Sequence, residues 1–291
     1  MQLTVISGKG GTGKTTIAVA LAELEKNTGK VDCDVDAPNL YLYYDGRDML
    51  REEFSGGMKV SVDTSLCTEC GLCQSICQFE AIHDGKVNTL YCEGCGACVL
   101  ICPSKALSLV EEKTAEVILT DTSSGVLTQA RMEIGSEGSG KLITVLRKKA
   151  QGYAGDDLMI IDGSPGIGCP VIASITATDT VLIVTEPTQS GVEDLQRIVL
   201  LCQQFGVKTF VCTNKADINE EIARQIENYC LTNGLCFVGR IPYDDTVLQS
   251  INELIPIIYY SGSKANQAIR EAWKRIKRQL FVSENKEERK Q

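Results

Sequence analysis

Short apolar runs alternate with stretches of helical periodicity along most of this chain. Leu3–Ser7, Val31–Cys33, Glu116–Thr120, Leu158–Ile161, Thr180–Thr185, Thr209–Thr213 and Cys236–Gly239 read as strands, most of them apolar on both faces. Strands buried on both sides belong in a parallel sheet, and the helical stretches between them supply the crossovers. The run at Val31 is thin for a central strand. Thr16–Leu24 follows the first strand as a helix, and near the other end Ala265, Ala268, Ile269, Ala272, Trp273, Ile276 and Leu280 recur at helical spacing. Two placements compete for that last helix: docked on the sheet, the commoner one, or lying on a membrane surface with Lys274, Arg275, Lys277 and Arg278 outward. The charged stretch Ser283–Gln291 is expected to be disordered. The fold class is therefore α/β, a mostly parallel sheet with helices on both faces.

The alternation breaks between residues 58 and 110. Cys67, Cys70, Cys73 and Cys77 are separated by two, two and three residues, and Cys92, Cys95, Cys98 and Cys102 repeat that spacing 25 positions later. The repeat extends past the cysteines, with Gly71 matching Gly96, Ile76 matching Ile101, Ala81 matching Ala106, and Ile82 answering Leu107. This is the spacing of a bacterial-type ferredoxin with two four-iron, four-sulfur (4Fe-4S) clusters, because two-residue gaps let one tight loop offer three thiolates to three corners of a cubane. In such runs the fourth cysteine ligates the other cluster. Cys67, Cys70, Cys73 and Cys102 are thus assigned to one cluster, and Cys92, Cys95, Cys98 and Cys77 to the second. Zinc and disulfides are the competing uses of paired C-x2-C motifs. Zinc sites rarely repeat an 11-residue four-cysteine run with a proline after the last. Pro103 follows Cys102 as the pattern expects, whereas Gln78 follows Cys77. The expected organisation is a nucleotide domain of residues 1–57 and 111–291 with a ferredoxin domain, 58–110, inserted in it.

Composition narrows the setting. The chain has 291 residues, 43% of them apolar, enough for a large core. Its start enters a strand at once, with no basic leader and no apolar run long enough to span a bilayer, so a cytoplasmic protein without stable membrane association is expected. A reducing cytoplasm suits thiolate ligation and disfavours disulfides. A net charge of −9 argues against nucleic acid as a partner.

Gly8-Lys9-Gly10-Gly11-Thr12-Gly13-Lys14-Thr15 satisfies G-x-x-x-x-G-K-[ST] between a strand and the helix that begins near Thr16. Glycines let backbone N–H groups close on phosphate, and the helix N-terminus adds its dipole. Lys14 is placed to reach the β- and γ-phosphates and Thr15 to hold Mg²⁺, which makes the frame a P-loop NTPase. Lys9 is the additional signal, because a second lysine early in this loop resembles the deviant Walker A motif of the MinD/ParA family, which includes the nitrogenase iron protein. That resemblance runs along nearly the whole chain outside residues 58–110. It implies that Lys9 crosses into a partner subunit's site, so that ATP closes a homodimer. It also implies that Asp34, in Val31-Asp32-Cys33-Asp34, orients the attacking water, the alternative being a solvated acidic loop. Asp162, followed by Gly163-Ser164-Pro165-Gly166, would hold Mg²⁺ through water. Asn214-Lys215-Ala216-Asp217 matches the guanine-reading N-K-x-D motif, but in this family the asparagine contacts adenine and a proline, here Pro242, lies beside the ring. ATP is the expected nucleotide.

The pairing of a nucleotide switch with a cysteine block most closely resembles MinD-type ATPases with an inserted ferredoxin, relatives of the Mrp-type cluster carriers. It implies an ATPase that supports assembly, insertion or reduction of a metallocluster on a client metalloprotein. Two alternatives are an ATP-gated electron donor to a redox partner and a positioning or scaffold ATPase whose clusters are structural. Cys169 lies seven residues after Asp162. That is similar to the place of a bridging-cluster cysteine in the nitrogenase iron protein, but a buried structural thiol is an equal expectation. Cys33, Cys202, Cys212, Cys230 and Cys236 sit in apolar runs and read as core.

Overall fold

The computed structural model describes residues 1–25, 27–136, 139–155 and 157–287. Eleven strands and nine α-helices are formed by these residues. One sheet has the order β11-β10-β9-β1-β8-β2-β7-β6-β3. Its strands are β1 Gln2–Ser7, β2 Gly29–Asp32, β3 Gly46–Val62, β6 Leu107–Thr122, β7 Gly125–Met132, β8 Met159–Pro165, β9 Thr180–Thr185, β10 Lys208–Asn214 and β11 Cys236–Ile241. From β11 to β7 every neighbouring pair is parallel, and the β7–β6 and β6–β3 pairs are antiparallel.

All seven expected strands are present, and the thin run at Val31 is a central strand between β8 and β7. It can be short because both neighbours and both faces bury it. Helix α1, Lys14–Glu23, is buried nearly all round, with Ile17 to Leu21 inside. It lies between the sheet and the last helix, α9 Lys264–Glu287, whose Ala265, Ile269, Ala272, Trp273, Ile276 and Leu280 enter the same core. Docking on the sheet is thus the observed placement. The opposite face is filled by α5 Cys169–Ile175, α6 Gln189–Gln204 and α7 Glu220–Thr232. α4 Ser139–Ala154 joins that face beside α5, over β2 and β7, and α8 Asp245–Glu253 follows β11. α9 runs to Glu287, into the stretch expected to be disordered, and 288–291 lie outside the described residues.

The cysteine block is carried by β3, which the sequence pattern missed, and by β6, of which it found only Glu116–Thr120. β3 and β6 pair antiparallel from Gly46↔Thr122 to Val62↔Leu107. β7 accompanies β6 only as far as Ala115, so beyond that point two strands run on alone. The register slips between Phe54 and Gly57 at that same place, where the Gly56 N–H donates to Thr114 Oγ1 at 2.8 Å. Such bulges bend and twist a ribbon. Polar outward positions hid these strands from an apolar-run criterion: most of β3 is exposed. Positions 58 and 110 fall inside β3 and β6, and residues 63–106 fill the ribbon's far end.

Within that end the sequence repeat is also a backbone repeat. Short helices α2, Leu72–Ile76, and α3, Ala97–Ile101, each start from a left-handed glycine, Gly71 at φ 73° and Gly96 at φ 77°. Glu80 and Lys105, again 25 apart, both take left-handed φ, 51° and 53°. The matched pairs Ala81/Ala106 and Ile82/Leu107 are all buried. A two-residue hairpin of β4 Ile82–His83 and β5 Lys86–Val87 completes the unit.

Because Val62 and Leu107 face each other, residues 63–106 should be removable. Replacing them with Asn-Gly closes the ribbon with a favoured hairpin turn. We expect a soluble protein with a single cooperative unfolding transition that still binds nucleotide, read by calorimetry and thermal melting. Loss of the transition would mean that the block is part of the main core.

Candidate functional site

β1 lies between β8 and β9, and the C-terminal ends of β1, β2, β8, β9 and β10 open on one edge of the sheet. Ligands of open α/β sheets bind there. The loop Gly8–Gly13 leaves β1 and enters α1. Gly11 and Gly13 hold left-handed φ of 78° and 86°. A Cβ on Gly13 would stand 2.4 Å from Asn214 Nδ2, and one on Gly8 2.2 Å from Asp194 Cβ, so the loop is closed by fit as well as by conformation.

Asp162 gathers the site. Lys14 Nζ donates to its Oδ1 at 2.5 Å, Thr15 Oγ1 donates to its Oδ2 at 2.6 Å, and Lys14 Nζ is 3.6 Å from Asp34 Oδ2. Burial works against the Lys14 charge, but Asp162, Asp34 and Asp32 outweigh it and hold the ammonium above its ordinary range. Burial pushes the Asp34 carboxyl up, against Lys14 and with the charge of Asp162. The acidic stretch is therefore not a solvated loop. Asp32, fully buried, accepts backbone N–H groups from Asp34 at 3.1 Å, Asn39 at 3.0 Å and Leu40 at 2.9 Å. It fixes the turn that presents Asp34. Burial and the Asp162 charge push the Asp32 carboxyl up despite those donors.

Loop and strand ends are also tied through the backbone. The Cys33 N–H donates to Asp162 O at 2.8 Å, and Ser164 Oγ donates to Cys33 O at 2.5 Å. The residues fit a magnesium–nucleotide complex: the Thr15 hydroxyl and Asp162 carboxylate already adjoin, and the Thr12 hydroxyl is buried in the loop without a hydrogen-bond partner. Thr16 lies half-buried in the first turn of α1, and Gly10 has open space around it.

Asn214, at the end of β10, donates from Nδ2 to the Thr12 carbonyl at 2.7 Å. Asp217 Oδ1 accepts the Tyr243 N–H at 2.6 Å, and the Ala216 N–H donates to Ile241 O at 2.9 Å, which brackets Pro242. Asn214 and Pro242 thus come to the same end of the sheet as the phosphate loop. Asp217, with one oxygen engaged, is poorly disposed to read the two N–H groups of guanine.

Lys9 is not free. Its Nζ lies 3.3 Å from Glu186 Oε2 and donates to Thr188 Oγ1 at 3.5 Å. Lys215 Nζ donates to Glu186 Oε1 at 2.6 Å and to Gly11 O at 3.3 Å. Burial would raise the Glu186 carboxyl, but Lys215 and then Lys9 hold it below its usual range. Sequence reasoning missed Glu186. Its signal is an acid directly after an entirely buried strand, Thr180–Thr185, at the edge where the site opens.

Cysteines of both runs meet at one cavity. Cys67, Cys70 and Cys73 line one cavity of about 410 Å³ with Cys102 from the second run. Cys92 and Cys98 are buried in a core with Val60, Ile82 and Leu107, against which Cys73, Cys77 and Cys102 also pack, and Cys95 is exposed. Each fourth cysteine accepts a backbone N–H at equivalent places, Ala81 to Cys77 Sγ at 3.4 Å and Ala106 to Cys102 Sγ at 3.3 Å. Gln78 does not disturb this: Cys77 has φ −73° and ψ 108°, Cys102 φ −71° and ψ 112°. Among the described residues no three His, Cys, Asp or Glu side chains are grouped to hold a single metal ion. Four zinc-bound sulfurs would lie within roughly 4 Å of one another. Of the remaining cysteines, Cys33, Cys202, Cys212 and Cys230 are buried as expected and Cys236 is partly so. Cys169 is exposed at the start of α5, which rules out the buried structural thiol. No described helix is long and apolar enough to cross a membrane.

The nucleotide-binding domain shared by CobQ, CobB, MinD and ParA matches residues 3–257. The chain belongs to the CobQ/CobB/MinD/ParA family. It is a P-loop ATPase of that family, and the site just described lies within the matched region. An uncharacterized protein of Methanocaldococcus jannaschii is 36% identical over 95% of this chain and 96% of its own length. An iron-sulfur cluster carrier protein of Pyrococcus horikoshii is 25% identical over 96% of this chain and 86% of its own. The septum site-determining protein MinD of Pyrococcus horikoshii, solved with Mg-ADP, shares the fold at a TM-score of 0.59 and 18% identity, covering 97% of each chain.

Two outcomes test this MinD/ParA-family site. Lys14→Ala removes the cation against Asp162 and strands a buried carboxylate, so nucleotide affinity by calorimetry should fall by about 100-fold or more. In competition at equal concentration, GTP should fail to displace ATP; displacement would return Asp217 to base reading.

Proposed function

We propose that this ATPase uses its nucleotide state to govern two 4Fe-4S clusters held by the inserted block, in support of assembling, inserting or reducing a metallocluster on a client protein. The observation that carries the reading is the single cavity shared by Cys67, Cys70, Cys73 and Cys102, three thiols of one run and the fourth of the other. Thiolates on several sides of a cavity suit a cubane, and cross-ligation suits a two-cluster ferredoxin. Cys92, Cys95, Cys98 and Cys77 hold the second cluster. The iron-sulfur cluster carrier protein of Pyrococcus horikoshii, similar over almost the whole chain, supports a cluster-handling role.

The ribbon gives nucleotide and cluster a mechanical relation. Its first strand begins at Gly46, after Asp34 and a 3-10 turn at Leu40–Tyr43, and the chain returns through β7 and α4 to β8, which carries Asp162. In the proposed cycle, Lys14 and the loop N–H groups bind phosphate, and Thr15 and Asp162 hold Mg²⁺, which neutralises phosphate charge. Asp34 orients water. Lys9 completes the partner's site in a closed homodimer, with Asn214 and Pro242 bounding adenine. An electron-donor role is the second reading, favoured by the exposure of Cys70 and Cys95, one cysteine of each set.

Anaerobic reconstitution should yield about eight iron and eight acid-labile sulfide per chain. Cys102→Ser should remove the cluster of Cys67, Cys70 and Cys73, and Cys77→Ser the other; the reverse pattern in paramagnetic spectra would reject the crossed assignment, and zinc without sulfide would reject clusters. In light scattering, Mg-ATP should drive wild-type protein to dimer more strongly than ADP, and Lys9→Ala should bind ATP without dimerising.

A further inference from the structure

Glu186 is a carboxylate shared between two lysines beside the phosphate loop. Its side chain is 14% exposed, with Lys215 Nζ at 2.6 Å from one oxygen and Lys9 Nζ at 3.3 Å from the other. Lys215 also reaches the Gly11 carbonyl at 3.3 Å, so one Lys–Glu–Lys chain spans the loop from its second residue to its fourth. Three separate segments meet there: the loop after β1, the end of β9 and the end of β10. None of the phosphate-binding or water-orienting groups, Lys14, Thr15, Asp34 and Asp162, takes part.

We propose that Glu186 is a positioning residue that holds Lys9 within its own subunit until closure, and that Lys215 makes that hold weak enough to release. The inference rests on the ATP-closed dimer reading, in which Lys9 moves to the partner's phosphate. A partly buried carboxylate left alone is costly, and that cost would oppose release of its only cation. Here the carboxylate keeps Lys215, the closer of its two partners, when Lys9 departs. The shared counter-ion therefore lowers the cost of handing Lys9 over. Removing Glu186 should favour the dimer, and removing Lys215 should oppose it.

The experiment is sedimentation of the full chain over a range of protein concentrations at saturating Mg-ATP, where differences in nucleotide affinity drop out. Glu186→Gln is expected to lower the dimer dissociation constant about tenfold, roughly threefold for each of two lysines related by a two-fold axis. Lys215→Met should raise it by about the same factor. The two substitutions change net charge in opposite directions, so a long-range charge effect alone would leave the double variant near wild type. If Lys215 acts through Glu186, the double variant instead matches Glu186→Gln. Wild-type behaviour of both single variants, or an additive double variant, overturns the proposal. Lys215→Met probes the same hold from the other side should Glu186→Gln fail to fold. Loss of dimer in Lys9→Ala alongside unchanged Glu186→Gln and Lys215→Met would refute this inference and leave the dimer reading standing. A Lys9→Ala protein that dimerises as wild type would refute the dimer reading itself.

Discussion

The ion pair between Lys14 and Asp162 is the constraint around which the rest of the site is arranged. Both groups are buried, and neither would be tolerated without the other. Asp162 sits on β8 and Lys14 begins α1, so the pair locks the loop after β1 to the neighbouring strand. Its geometry is reinforced from the second oxygen by Thr15 and from the backbone by Cys33. A magnesium–phosphate group would enter an environment whose charges are already fixed, which is what electrostatic preorganisation requires.

Much of this was legible in the sequence because the relevant signals are local. Gly11 and Gly13 declare left-handed backbone, Lys14-Thr15 declares phosphate and metal, and the two cysteine runs declare each other by repetition. The apolar strands β9 and β10 could be bounded almost to the residue because they are buried on both faces. The docked position of the last helix was written in its apolar stripe, ending with Trp273, Ile276 and Leu280 in the core.

The unread part was non-local. β3 is mostly polar and exposed and gains its shape from β6, at least 45 positions away in sequence, so no window on Gly46–Val62 reveals it. Glu186 has no motif; its meaning comes from Lys9 and Lys215 arriving from two other segments. Asp32 is visible as half of an Asp-x-Asp pair, but its task of collecting three N–H groups depends on how the chain turns at Asn39 and Leu40. Cys169, which the sequence left between a bridging ligand and a buried structural thiol, is exposed at the first position of α5.

The strand order has a consequence for synthesis. β1 finds its two neighbours, β8 and β9, only after residue 159 has been made. By contrast, all eight cysteines of the block lie between Cys67 and Cys102, and the ribbon that holds them closes on itself by Thr122. Chains fold in units as they emerge, N-terminal parts first. The block can therefore be organised while the phosphate loop has no sheet to lean on, so the two halves of the chain take shape at different times.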